Sequence, residues 1–245
     1  MTVSGSVAVS FLGIGLMGSR QARRLLDAGY QLAVWNRSRD KAEALAPFGA
    51  RVVDTPSEAA RSTDIVILML ENGPIVTDVF FDQGLAEALQ PGSIVVDMSS
   101  IKPAEAQQHA KLLSGCGIHH IDAPVSSGTL GAEQGALAIM AGGEAEIFAR
   151  VEPILKIMGR PVHVGPHGAG QLSKLANQIV VGVTIGAVAE ALLLAQRGRS
   201  GSGKGAGSSA GRLRREPHSR ASWPAYGQAR LRYQRPLRHP SQGPR

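Results

Sequence analysis

The segment VAVSFLGIGLMG, residues 7–18, gives the clearest indication of the fold. Its apolar first half has the composition of a buried strand, and a helical pattern follows over residues 16–28. Between them, Gly13, Gly15 and Gly18 form the pattern G-x-G-x-x-G. The first glycine permits a tight turn, the second lets the backbone approach a pyrophosphate, and the third allows close helix–strand packing. The stretch predicts a dinucleotide site whose phosphates face the helix N-terminus, although a tight turn with small packing residues has the same pattern.

On the C-terminal side of this segment, apolar strand-like runs alternate with helical patterns along most of the chain. The predicted strands are VAVSFLG, QLAVWN, IVILML, SIVVDM, GIHHIDA, ALAIMAG and PVHVG. Helical patterns occupy residues 16–28, 40–46, 103–113 and 144–158, and a long helix begins at about Gln171. This order predicts an α/β fold: a Rossmann-type, doubly wound, mostly parallel sheet. We predict a dinucleotide-binding domain over residues 1–166, an interdomain helix over 167–196 and a tail over 197–245.

The net charge of +7 is unevenly distributed along the chain. Residues 1–196 contain 14 Lys and Arg against 18 Asp and Glu, whereas residues 197–245 contain 12 against Glu216 alone. The tail also lacks Val, Ile, Met and Phe and holds eight glycines, seven serines and five prolines. Such a composition predicts disorder, and any nucleic-acid binding would belong to this basic tail.

Several classes of protein and site are not expected. The single cysteine, Cys116, cannot form an internal disulfide, which favours the cytoplasm. The first apolar run has no basic residue before it, so we predict no signal peptide. The apolar run over residues 179–194 contains Glu190 and is shorter than a membrane span needs, so no membrane helix is expected. His119 and His120 precede a strand without metal-ligand spacing around them, and we predict no metal site.

The end of the second predicted strand bears on the choice of cofactor. An NAD site normally places a carboxylate here for the ribose hydroxyls, but this chain has Asn36, Arg37 and Ser38. A guanidinium pairs well with a 2′-phosphate, and Ser38 could add a hydroxyl. The pattern favours NADP over NAD. The alternative is a solvated Arg37 and a Ser38 that only caps the next helix.

Three further segments carry a family resemblance: DMSSIKP from Asp97, DAPVSSGTLGAEQGALAIMAGG from Asp122 and GAGQLSKLANQ from Gly168. Together with FLGIGLMG they resemble the β-hydroxyacid dehydrogenases, which include the 3-hydroxyisobutyrate dehydrogenase, tartronate semialdehyde reductase and glyoxylate/succinic semialdehyde reductase types. The four motifs occur in the family's order over residues 7–196. The resemblance implies an NAD(P)-dependent oxidoreductase acting on CH–OH groups of small hydroxyacids or their semialdehyde or 2-oxoacid partners.

The resemblance implies that Lys174 is the catalytic lysine, which delivers a proton to the carbonyl oxygen as hydride reaches carbon. Asn177 lies three residues further on the same helix face and would orient the substrate. Ser126 and Gly128 match the loop that holds the substrate carboxylate. Ser127 stands where the family usually has glycine, and would add strain and bulk if its φ is positive. Without the resemblance, the favoured interpretation of Lys174 and Asn177 would be solvated polar residues on the helix surface.

The remaining cofactor-binding residues are also assigned with the help of the resemblance. They follow strand ends or lie within the glycine motif, and simple turn chemistry is the alternative for the last of them: Leu16, Met17, Met69, Leu70 and Ser99.

In the family the long helix continues into an all-α C-terminal domain that closes the site and builds a homo-oligomer, and residues 197–245 do not resemble it. Read one nucleotide later, with codons chosen among those permitted, these residues can give a helical, family-like sequence. We interpret the tail as frameshifted, with a genuine basic tail as the alternative. The corresponding alternative function is an inactive dinucleotide-binding remnant whose tail binds nucleic acid nonspecifically.

Overall fold

A computed structural model describes residues 7–61 and 63–198. The chain divides into two compact units, Met1–Ile185 and Gly186–Arg245. The first unit contains the sheet, its covering helices and the first part of the last helix. The described part of the second unit is the remainder of that helix. The interpretations of the tail as disordered, frameshifted or nucleic-acid-binding concern residues outside the described ranges, apart from its first two residues.

The sheet has nine strands, several of which end in the segments singled out above. The strands are β1 (Val9–Leu12), β2 (Leu32–Trp35), β3 (Arg51–Val52), β4 (Ile65–Leu68), β5 (Ile94–Asp97), β6 (His119–Asp122), β7 (Val125–Ser126), β8 (Leu137–Gly142) and β9 (Gly159–Gly165).

Nine α-helices occur in the described ranges. They are α1 (Gly18–Asp27), α2 (Arg39–Glu43), α3 (Pro56–Ala60), α4 (Gly73–Thr77), α5 (Leu85–Ala88), α6 (Pro103–Gly115), α7 (Gly128–Gln134), α8 (Ala145–Met158) and α9 (Ala169–Gly198). A 3₁₀ turn follows α2 at Ala46–Phe48, and a π-helical turn follows α4 at Asp78–Asp82.

The strand order is β3-β2-β1-β4-β5-β6-β8-β7, with β9 paired to β8. The first six strands of this order are all parallel, β8 runs antiparallel to β6 and β7, and β9 is parallel to β8. The predicted doubly wound, mostly parallel sheet is confirmed. The sequence patterns missed β3 and β7, which have only two residues each, and the short helices α3, α4, α5 and α7, because such elements are too brief to show a period.

The core lies on both faces of the sheet. Along β4, Ile65 and Ile67 pack into one buried cluster, and Val66 and Leu68 pack into the other. Because successive side chains of a strand point to opposite faces, a strand buried on both sides must be apolar throughout. This explains why the central strands read as continuous apolar runs and not as alternating ones.

The long helix α9 agrees with the predicted helix from about Gln171 to Gln196. By length and composition alone, residues 169–197 could cross a membrane, and none of their most apolar window is buried. The predicted length of the apolar segment, residues 179–194, is therefore wrong, because α9 begins at Ala169, ten residues before it.

Candidate active site

The predicted site residues follow strand ends that lie side by side. The pairing register aligns Trp35 with Leu12, Leu12 with Leu68, Leu68 with Asp97, and Asp97 with Asp122. The carboxyl ends of β2, β1, β4, β5 and β6 therefore form one edge of the sheet. Strand order reverses between β1 and β4, and ligands of open α/β sheets bind in the crevice at such a switch point.

The glycine motif lies at this crevice, and its geometry requires glycine at two positions. Gly13 has a φ of +98°, and a Cβ on it would collide with the Met69 carbonyl group. A Cβ on Gly18 would collide with the Gly13 carbonyl oxygen and approach a Phe11 ring carbon at 3.1 Å. At Gly15, by contrast, a Cβ would meet nothing within 4 Å. The turn and the helix–strand contact explain Gly13 and Gly18, and the open space at Gly15 fits a backbone that a pyrophosphate must approach.

The two residues between Gly15 and Gly18 lead into α1. Leu16 is exposed, and Met17, directly before the helix, is half-buried. The Met17 carbonyl accepts hydrogen bonds from the Arg20 and Gln21 N–H groups, both at 3.1 Å. Their backbone therefore lies at the helix N-terminus, which is where the dinucleotide phosphates are expected.

Asn36, Arg37 and Ser38 follow β2 beside this turn. Asn36 is half-buried, accepts a hydrogen bond from the Ile14 N–H at 2.9 Å and donates one to the Ser38 carbonyl at 2.9 Å. It therefore joins the glycine loop to the turn after β2. Ser38 is the residue before α2 but makes no side-chain capping bond. Arg37 is exposed, and among the described residues no ion pair involves it, whereas Arg39 pairs with carboxylates.

Met69, Leu70 and Ser99 connect the ends of β4 and β5. Met69 and Leu70 are half-buried, and the Leu70 N–H donates to the Ser99 hydroxyl at 2.9 Å. Ser99 itself is fully buried, and its N–H donates a hydrogen bond to the Asp97 carboxylate at 2.9 Å. The Ser99 hydroxyl thus connects the loop after β4 to the loop after β5.

The first turns of α9 bring three predicted residues to the same place. Asn177 Nδ2 donates to the Ser126 hydroxyl at 3.2 Å and lies 3.3 Å from the Gln178 side-chain oxygen. Lys174 Nζ donates to that same Gln178 oxygen at 3.0 Å. Lys174 and Asn177 therefore lie on one helix face, as predicted, and this face contacts Ser126 in the loop predicted to hold the substrate carboxylate.

The amine of Lys174 is partly withdrawn from water. It is half-buried, and loss of hydration lowers the pKa of its amine below the ordinary lysine value. In the part of the chain that the structure describes, no carboxylate forms an ion pair with it, and its partner is a neutral amide. An ammonium in this state gives up its proton more readily than a surface lysine.

The loop after Ser126 contains Ser127, for which strain was predicted if the φ of this residue is positive. Ser127 has φ +94° and ψ +5°, and it is the one non-glycine residue with positive φ in the described ranges. Gly128 follows with φ +62° and open space around it. The condition for strain at Ser127 is confirmed.

Two buried carboxylates lie behind this region, and sequence reasoning assigned them no role. The Asp122 carboxylate accepts hydrogen bonds from the Gly168 N–H at 2.8 Å and the Gln171 N–H at 3.0 Å, at the start of α9. Burial raises the pKa of Asp122 to about 6 and that of Asp97 to about 7. The sequence places both at the ends of adjacent strands, but it does not show that Asp122 binds the start of α9.

The two neighbouring histidines lie within β6 and not before it, which corrects their predicted position. His120 is buried, and burial lowers the pKa of its imidazole to about 3, so it is neutral. Within residues 7–61 and 63–198 no cluster of three or more His, Cys, Asp or Glu side chains could hold a metal ion.

Comparison with known proteins identifies relatives over most of the chain. Residues 8–168 match the family described as the NAD binding domain of 6-phosphogluconate dehydrogenase. The 2-hydroxy-3-oxopropionate reductase of Escherichia coli (strain K12) is 40% identical over 191 residues, covering 77% of this chain and 65% of that protein.

Two solved structures share the fold. The Mycobacterium tuberculosis 3-hydroxyisobutyrate dehydrogenase with L-serine is 33% identical with a TM-score of 0.75, covering 79% of this chain and 66% of that one. Psf3 in complex with NADP+ and 2-OPP is 29% identical with a TM-score of 0.73, covering 80% and 69% respectively. The chain spans just under two thirds of the length of the curated relative.

The matches cover all four motifs that carried the resemblance, from the glycine turn to the start of α9. The resemblance to the β-hydroxyacid dehydrogenases is therefore confirmed, and the chain belongs to the family of the 6-phosphogluconate dehydrogenase NAD-binding domain.

Proposed function

We propose that this protein is an NADP-dependent oxidoreductase that transfers hydride between the nicotinamide and a small β-hydroxyacid, or its semialdehyde or 2-oxoacid partner. The observation that carries the proposal is the state of Lys174. Its amine is half-buried, has no carboxylate partner among the described residues, and shares Gln178 with the Asn177–Ser126 pair. A proton donor and two hydrogen-bonding groups thus lie together beyond the carboxyl edge of the sheet.

The bound dinucleotide supplies the hydride. Lys174 Nζ, as an ammonium, donates a proton to the substrate's carbonyl oxygen, and in the reverse direction the amine accepts it from the hydroxyl. Desolvation favours the neutral amine and so makes the ammonium a stronger acid. A neutral Gln178 partner holds the amine in place without opposing this effect, as a carboxylate would.

The substrate is held by the loop after β7 and by α9. The Ser126 hydroxyl and the Asn177 amide are within hydrogen-bonding distance of each other, so one small molecule can contact both. Backbone N–H groups of Ser127 and Gly128, in the left-handed conformation, can receive a carboxylate. The L-serine bound to the Mycobacterium tuberculosis relative is a small carboxylate with a β-hydroxyl group, which supports this substrate class.

The preference for NADP rests on Arg37. No carboxylate follows β2 where an NAD site would have one, and Asn36 is already bonded to the glycine loop. Arg37 is exposed and available to a 2′-phosphate, while Arg39 is engaged with Glu43 and Asp54. The NADP+ complex of Psf3 supports the same choice.

The experiment is turnover of NADPH and NADH by the purified full chain with 2-hydroxy-3-oxopropionate, glyoxylate and succinic semialdehyde. We expect NADPH to be preferred, and Lys174→Ala to lower kcat by about 10²–10⁴-fold. Lys111→Ala, which removes an exposed lysine on α6, is the matched control and should leave kcat unchanged. Absence of turnover with every substrate, or equal kcat in Lys174→Ala, would contradict the proposal.

A second variant tests the cofactor preference. Arg37→Ala removes a charge-assisted contact worth about 1.5–3 kcal/mol, so KM for NADPH should rise about 10- to 100-fold while KM for NADH stays nearly constant. Arg39→Ala, two positions further along the chain, is the control and should change KM for NADPH and KM for NADH by the same factor. An enzyme that prefers NADH, or an Arg37→Ala variant with unchanged KM for NADPH, would refute the role of Arg37.

A further inference from the structure

The side chain of Gln171, in the first turn of α9, is almost completely buried, with 1% of its surface exposed. Both polar atoms of this side chain and the backbone N–H have partners outside α9. Its side-chain oxygen accepts from the Ile101 N–H at 3.1 Å, and its side-chain nitrogen donates to the Ser99 carbonyl at 2.8 Å. Its own N–H donates to the Asp122 carboxylate at 3.0 Å. One glutamine therefore joins α9 to the loop after β5 and to the end of β6.

The loop that Gln171 holds is connected in turn to the glycine motif. The Ser99 hydroxyl accepts from the Leu70 N–H at 2.9 Å. Leu70 packs against Gly13 so closely that a Cβ there would lie 2.9 Å from a Leu70 methyl carbon. A continuous series of contacts thus runs from the predicted dinucleotide turn through Leu70 and Ser99 to Gln171.

Gln171 lies one helical turn before Lys174. Because a helix is rigid over one turn, a shift of the first turn displaces the Lys174 amine by a similar amount. The two hydrogen bonds of the Gln171 side chain fix the helix along its axis and around it, relative to the loop at residues 99–101. The Asp122 carboxylate fixes the backbone at Gly168 and Gln171.

We propose that Gln171 is a positioning residue for hydride transfer: its side chain fixes the Lys174 amine relative to the loops that follow β4 and β5, where the dinucleotide binds. The proposal rests on the proposed function. Gln171 does not contact the reacting atoms and acts only through Lys174. Its removal should therefore lower the rate of the chemical step without weakening cofactor binding.

Gln171→Met tests this directly, because methionine nearly preserves volume but cannot bond to Ser99 or Ile101. We expect kcat to fall by about 10- to 100-fold, the cost typical of a reacting group displaced by about 1 Å. The Kd for NADPH should change by less than about threefold, since the glycine turn is untouched. An unchanged kcat in a folded Gln171→Met protein would overturn the proposal.

The matched control is Gln107→Met, the same substitution at a neighbouring contact of α6. Gln107 is exposed and donates to the His167 carbonyl at 3.3 Å, in the turn before α9, without reaching the loop at residues 99–101. We expect its kcat to match that of the wild type. An equal loss of kcat in Gln107→Met would overturn the proposal, because the effect would then not depend on the loop contacts.

Gln171→Asn decides the matter if Gln171→Met does not fold. Asparagine keeps the amide but is one methylene shorter, so it cannot reach both Ser99 and Ile101. We expect the same split, a lowered kcat with an unchanged Kd for NADPH. A positioning role would be refuted if kcat and the affinity for NADPH fell by the same factor, or if neither changed.

Two measurements that need no turnover separate this proposal from the proposed function. In Gln171→Asn the Ile101 amide should lose protection from hydrogen exchange, and the pKa of the Lys174 amine, followed by NMR after reductive methylation, should rise towards that of an exposed lysine. If wild type shows no turnover, the proposed function fails while these two readouts still decide the role of Gln171. Unchanged exchange and an unchanged Lys174 pKa would overturn it.

Discussion

Replacing Ser127 with glycine should stabilise the protein although it deletes atoms. Ser127 occupies φ +94°, ψ +5°, a region that side chains with a Cβ rarely adopt. Its side chain makes no capping hydrogen bond to α7 and is exposed, so little packing or bonding is lost with it. The substitution therefore isolates the cost of backbone strain.

The expected gain is the difference between two opposing effects. A residue with a Cβ in the left-handed region costs about 1–2 kcal/mol, which glycine avoids. Glycine in turn adds backbone freedom to the unfolded chain, which costs about 0.4–1 kcal/mol. The free energy of unfolding should rise by about 0.5–1 kcal/mol, equivalent to about 1–4 °C in Tm for a chain of this size.

Urea denaturation followed by circular dichroism measures this difference. Ser127→Ala is the control, because it removes the hydroxyl but keeps the Cβ and hence the strain. We expect Ser127→Gly to be more stable than both the wild type and Ser127→Ala. If the glycine variant is no more stable than the alanine variant, strain at residue 127 does not have the size inferred from its φ.

Further predictions concern the glycine turn, the buried carboxyl group of Asp97 and the amine of Lys174. Gly18→Ala should lower the free energy of unfolding by about 1–3 kcal/mol, because its methyl group meets the Gly13 carbonyl oxygen. Gly15→Ala, at which nothing lies within 4 Å, should leave stability nearly unchanged but weaken NADPH binding in a fluorescence titration, and equal binding by that variant would argue against a pyrophosphate there. Because the pKa of Asp97 is raised to about 7 by burial, the stability it contributes is present below about pH 4 and is lost as pH rises to 7. Asp97→Asn should therefore reduce the loss of unfolding free energy between pH 5 and pH 8 by on the order of 2–3 kcal/mol, and an identical loss in both proteins would contradict a buried, shifted carboxyl. Carbonyl reduction should decline as the Lys174 ammonium deprotonates, in a pH range below that of an ordinary lysine, and a pH–rate profile that stays flat up to the ordinary lysine pKa would contradict its role as proton donor.

Much of the fold could be predicted because the sheet is buried on both faces. Continuous apolar runs such as IVILML and SIVVDM are typical of central strands in a parallel sheet that is covered on both faces, and the glycine turn marks which strand comes first. The two-residue strands β3 and β7 were missed because two residues carry no period. Their pairing is decided by the register of the longer strands beside them.

The site was predicted in part, and the missing residues have a common reason. Lys174 and Asn177 could be paired because they lie on one helix, and the strain at Ser127 could be stated as a condition on φ. Gln171 and Asp122 could not be connected from the sequence, because they are 49 residues apart and meet only where the start of α9 packs against the end of β6. The withdrawal of Lys174 from water is likewise a property of packing that spacing does not contain.

The most direct measurement is the initial rate of NADPH oxidation with 2-hydroxy-3-oxopropionate by the full chain, compared with Lys174→Ala under conditions where both bind NADPH equally. We predict measurable turnover by the wild type and a kcat lower by about 10²–10⁴-fold in the variant, with an unchanged Kd for NADPH. Equal rates in the two proteins, or no oxidation of NADPH by a wild type that binds it, would contradict the role assigned to Lys174.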